Sequence, residues 1–151
     1  MNSPTLEARP GAPTLLSALG ALGAAPFWLP VLAGLAWPRW QAVAVDALSV
    51  YAAVILSFLA GARMGMTIVQ DRPSSLTLCL SMVPPILAWV LVLVPFNTPA
   101  LRFVLLALAL LGHAAWDSRA RETPLWYPRL RWPLTLAATA GLLTGAVVLH
   151  G

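Results

Sequence analysis

Five long, predominantly apolar stretches divide this 151-residue chain, covering 14–36, 43–69, 76–94, 99–116 and 133–149. Each approaches the ~20 residues that carry a helix across a bilayer. In hydrocarbon every backbone N–H and C=O must be satisfied internally, so stretches of this length read as helices. The joints between them carry charge or turn residues, such as Asp71-Arg72-Pro73-Ser74 and Pro95-Phe96-Asn97-Thr98-Pro99. The pattern predicts an all-α fold, a polytopic membrane helix bundle with five transmembrane helices. Residues 14–151 form its single membrane domain, behind a flexible N-terminal tail over 1–13 that holds Pro4, Pro10, Gly11 and Pro13.

Composition supports the same class. Hydrophobic residues make up 60% of the chain and charged ones only 9%, against roughly 25% charged in soluble domains. The first stretch opens like a secretory leader, with Arg9 before "TLLSALGALGAA". Pro26 is poorly placed for cleavage, however, and the apolar run continues beyond it, so a retained span is expected. Cys79 is the single cysteine, which excludes a disulfide framework.

Arginine placement sets an orientation. The basic residues are nine arginines and no lysine. With five crossings, Arg9, Arg72, Arg119, Arg121, Arg129 and Arg131 share one side, and Arg39 and Arg102 the other. Positive charge concentrates on the cytoplasmic side. The N-terminus is therefore expected in the cytoplasm and the C-terminus in the periplasm of a bacterial inner membrane.

The second stretch holds an arginine within its apolar run, in "SFLAGARMGM". Arg63 lies near the inner end, from which it can snorkel to headgroups. Charges inside spans are rare and usually partnered, so the alternative is that Arg63 faces the bundle. Ala53, Ser57, Gly61 and Gly65 recur every fourth residue and predict a small-residue ridge for helix packing. Arg63 and Gln70 lie on another flank.

The third stretch carries Pro84-Pro85 at its centre, a predicted helix break that frees two carbonyls. The fourth ends "GHAAWD", with His113 and Asp117 on one face. Arg63, Asp117, Gln70 and His113 thus form a candidate charged cluster, with Asp117 as an ionic partner for Arg63 or for the nearby Arg119 and Arg121. Two ligands are too few for a metal site, so neither metal nor cofactor is expected. The segment "LWYPRLRW" alternates aromatics with arginines, which suits a headgroup layer. Trp126, Tyr127, Arg129 and Arg131 are the candidate headgroup or anion-binding residues.

"YAAVILSFLAGARMGM" (51–66), "VPPILAW" (83–89) and "PLWYPRLRWPLT" (124–135) together resemble the transmembrane-protein-69-like family, a membrane domain family of unknown function. The resemblance implies a small multi-span protein and no known activity. Met64 stands where the family often has an aromatic residue.

Three functions are compatible with this reading. The first is a non-catalytic accessory or assembly component that touches lipid bilayer, anionic headgroups and other membrane proteins, but no nucleic acid. The alternative is a small transporter or lipid-handling protein that holds an anionic group at the inner leaflet. The third is a membrane-embedded enzyme built on His113 and Asp117.

Overall fold

A computed structural model describes residues 14–120 and 126–149; the tail expected over 1–13 lies outside the described residues. The described residues form six α-helices and a single 3-10 turn, Pro38–Trp40. The helices are α1 (Thr14–Ala36), α2 (Gln41–Ile68), α3 (Ser75–Ser81), α4 (Val83–Leu93), α5 (Pro99–Asp117) and α6 (Tyr127–Val148). Four helical segments are long and apolar enough to cross a membrane: α1, the turn with α2, α3 with α4, and α5.

Proline marks the helix starts. Pro84, Pro99 and Pro128 lie in the first two positions of α4, α5 and α6. There the missing N–H is one that a helix leaves unused anyway. The expected break at Pro84-Pro85 accordingly falls just before them, at Met82, and the two prolines open α4 rather than interrupt it. The Met82 N–H bonds to the Cys79 carbonyl at 3.1 Å, which closes α3 with a tight turn. Ser81 Oγ donates to the Thr77 carbonyl at 2.8 Å.

The helices pack so that α1 and α6 run parallel. Gly20 meets Leu134, Phe27 meets Gly141 and Gly34 meets Leu149. In contrast, α5 and α6 are antiparallel: Asp117 faces Arg131 at one end and Phe103 approaches Gly145 at the other. The core between them is apolar and fully enclosed, with Phe27, Leu48, Leu56, Phe103, Leu106, Leu110 and Leu142 all under 2% exposed. The outside is equally apolar. Leu22 and Phe58 are each 68% exposed and Trp89 63%. A surface of this kind needs acyl chains as its solvent.

The glycines of the α2 ridge face no other described helix of this chain. Gly61 and Gly65 are exposed, and a Cβ on either would meet nothing within 4 Å. Ala53 and Ser57 line a groove toward α4 with Pro85 and Trp89. The buried line of α2 instead runs through Leu48, Ala52, Leu56, Ala60, Arg63 and Thr67. Large side chains fill the core from that face, and the ridge lies beside it. The close backbone approach occurs on α6, in "GLLTG". A Cβ at Gly141 would stand 3.0 Å from the Phe27 carbonyl oxygen of α1, and one at Gly145 would stand 2.6 Å from Leu48. At Gly141 a small residue is what allows so near a contact between two helix backbones, whereas the neighbour at Gly145 is the end of the Leu48 side chain.

Candidate functional site

Three helix ends meet in a polar cluster inside the bundle. The last turn of α5 supplies His113, Trp116 and Asp117. Near the end of α2 come Arg63 and Thr67, and the start of α6 supplies Tyr127, Arg131 and Thr135. The spacing explains the convergence. His113 and Asp117 are four apart and share the face that α5 turns inward, as do Arg63 and Thr67 on α2 and Arg131 and Thr135 on α6.

Asp117 is completely buried, and a buried carboxylate requires compensation. Its Oδ2 accepts from Arg131 Nε at 3.4 Å and from the Tyr127 hydroxyl at 3.4 Å. Arg131, 7% exposed, also donates from Nη1 to Thr135 Oγ1 at 3.1 Å. The Thr135 hydroxyl in turn donates to the Arg131 carbonyl at 3.0 Å. The arginine contacts the carboxylate through Nε alone, so the pair is not bidentate. Asp117 Oδ1 and Arg131 Nη2 have no hydrogen-bond partner among the described residues.

Arg63 enters the cluster from α2 at 5% exposure. Its guanidinium lies 5.2 Å from the centroid of the Trp116 ring, within cation–π range. Trp116 and His113 stack at a tilt, with ring centroids 5.6 Å apart. Arg63, Asp117 and Arg131 all act electrostatically on His113. Arg63 therefore points into the bundle, not out to lipid. The ion pair of Asp117, however, is with Arg131 and not with the Arg63 that the sequence reading names first.

The remaining candidates divide. Gln70 is half-buried past the end of α2 and donates to its own Met66 carbonyl at 3.4 Å, outside the cluster. Arg129 is exposed, and the Trp126 ring packs edgewise on Tyr127 at 6.2 Å. Tyr127 and Arg131, read from sequence as headgroup contacts, turn inward. The reason is that α6 begins at Tyr127, six residues before the expected 133, so its first two turns bring them over Asp117. Sequence reasoning missed Trp116 and Thr135. Their signals were the i, i+3 step from His113 and the i, i+4 step from Arg131.

Two apolar grooves flank the cluster. One of about 250 Å³ lies between the Met82 break and α5, lined by Val83, Pro84, Leu87, Gly112, His113 and Trp116. Both ring nitrogens of His113 lack a hydrogen-bond partner among the described residues. The other, about 350 Å³, lies between α1, α2 and α6 and reaches Arg131 and Thr135. Among the described residues no group of three or more His, Cys, Asp or Glu side chains could hold a metal ion.

Comparison with known proteins agrees with this architecture. The sequence profile of the family described as "Protein of unknown function (DUF3429)" matches residues 12–147. Transmembrane protein 69 of Xenopus tropicalis is 34% identical over 144 residues, which cover 91% of this chain and 56% of that protein. The chain thus spans a little over half the length of that relative. No solved structure matches.

Proposed function

The chain belongs to the DUF3429 family of proteins of unknown function, and from that premise we propose that this multi-span membrane protein is a non-catalytic accessory or assembly component. The observation that carries the reading is the cluster at the Arg63 end. Its polar side chains bond across α5 and α6, with Asp117, Arg131, Tyr127 and Thr135 as one network, and Arg63 of α2 joins it through the Trp116 ring. Such a network favours one relative rotation of α5 and α6, with α2 held against them by the Arg63–Trp116 contact, and suits a rigid, apolar body. A rigid body with exposed apolar faces is suited to binding neighbours within the bilayer.

In this reading residues 14–151 form one domain and α6 is the fifth crossing. It has 22 residues, about 33 Å of helix, and it runs parallel to α1, itself long enough to span. The arginine bias supports an N-terminus in the cytoplasm and a bacterial inner membrane as the location. Anionic headgroups of that leaflet are the lipid partners of the exposed Arg129.

Affinity purification in mild detergent after in-membrane cross-linking tests the function. A membrane protein recovered in fixed ratio is the expected result. Recovery of a lone monomer that moves a solute across proteoliposomes would overturn it in favour of transport.

A further inference from the structure

We propose that the groove between α1, α2 and α6 binds one anionic phospholipid from the leaflet at the Arg63 end, with an acyl chain along the groove and the phosphate on Arg131. This goes beyond the accessory role and does not depend on it.

The groove holds about 350 Å³. Along α1 it extends from Leu16 to Phe27, a helical rise of about 16 Å. That matches half of a hydrocarbon core of about 30 Å, the depth of one leaflet. Phe27 stops it where α1 touches Gly141. At its other end stand Arg131 and Thr135, at the depth where the polar cluster begins. Leu19 and Phe58 line it and are exposed by 55% and 68%, so it opens sideways toward lipid.

Glycine creates the space. A Cβ at Gly23, on the groove wall, would meet nothing within 4 Å, so no atom of the described residues fills that position.

The Arg131 end gives the site its charge preference. This side chain is 93% buried, and two of its three nitrogens are engaged, Nε by Asp117 and Nη1 by Thr135. Nη2 has no hydrogen-bond partner among the described residues. A buried donor left unmade is costly, and a guanidinium is well suited to a phosphate oxygen. An apolar slot one leaflet deep, lined at its end by an arginine that keeps one unsatisfied N–H, fits an anionic phospholipid in both halves.

Native mass spectrometry of the full chain tests this, after release from nanodiscs that hold equal parts of phosphatidylglycerol and phosphatidylcholine. The wild type is expected to retain one phosphatidylglycerol per chain, at least tenfold over phosphatidylcholine. Gly23→Leu fills the slot without touching Arg131 and is expected to reduce retention tenfold or more, with melting temperature unchanged or raised. Arg131→Gln is expected to abolish the preference for the anionic lipid. If that variant fails to fold, Gly23→Leu alone decides. Equal retention of the two lipids by the wild type, or retention unaffected by Gly23→Leu, means annular lipid only and overturns the proposal.

Discussion

Asp117 closes α5 and Arg131 lies in the second turn of α6, and their side chains meet at 3.4 Å with exposures of 0% and 7%. The pair spans the junction of two antiparallel helices. Removal of either partner leaves a buried charge without compensation, which typically costs ~3–5 kcal/mol. Asp117→Asn and Arg131→Gln are each expected to lower stability in detergent by amounts of that order. The double variant should lose less than the sum, with a coupling above ~1 kcal/mol by thermal or denaturant unfolding. Additive losses would mean that the two groups act separately.

Tyr127 offers a milder test of the same network. Its hydroxyl donates to Asp117 Oδ2 at 3.4 Å. Tyr127→Phe keeps the ring against Trp126 and removes only the hydrogen bond. A hydrogen bond to a charged group contributes ~1.5–3 kcal/mol at good geometry, and this long one should give the lower end. The expected drop should shrink in the Asp117→Asn background, where the hydroxyl can donate only to a neutral amide oxygen.

Arg63 and Trp116 should couple across α2 and α5. A cation–π contact is worth ~0.5–1 kcal/mol when exposed and ~2 kcal/mol when desolvated, and this half-buried one should fall between. Trp116→Leu in wild type and in an Arg63→Gln background gives the coupling directly. A tryptophan that served only as filler would cost the same in both.

Glycine substitutions should separate the two GxxxG sequences. Gly141→Leu must push α1 away at the Phe27 backbone, a cost of ~1–3 kcal/mol or more. At Gly61 a Cβ would meet nothing within 4 Å among the described residues, and Gly61→Leu replaces a poor helix former by a good one, so it should be neutral or stabilising by up to ~1 kcal/mol. Equal losses at the two sites would place Gly61 in an interface with another molecule.

Reporter fusions test the crossings. Insertions at Ser74 and Ala120 should report the same side, and insertions at Asn97 and after Leu149 the other. If Ala120 and Leu149 report the same side, α6 does not cross.

The helices were legible because apolar length is a local property. The run at 14–36 coincides with α1, and the run at 43–69 differs from α2 by two residues at one end and one at the other. Which face of a helix turns inward is not local. On α2 two adjacent lines compete, one of small residues through Gly61 and Gly65 and one through Leu56 and Ala60. The choice falls to the line whose larger side chains fill the core. "GLLTG" on α6 carries the same small-residue signal. The charges show the same division. That Arg63, His113 and Asp117 share one depth follows from the direction of each helix. That Asp117 pairs with Arg131 follows from an early start of α6, which alternating aromatics and arginines conceal as an interfacial strip.

The parallel contact of α1 with α6 has a consequence in time. The Phe27 backbone rests against Gly141, 114 positions later in the chain. At a synthesis rate of about 5–20 residues per second, that seat stays empty for roughly 6–23 seconds after Phe27 is made. Asp117 waits far less for Arg131, 14 positions on, or about one to three seconds at the same rate. The last helix therefore supplies both the counter-charge of its predecessor and the resting place of the first, and until it arrives the earlier helices are an open assembly.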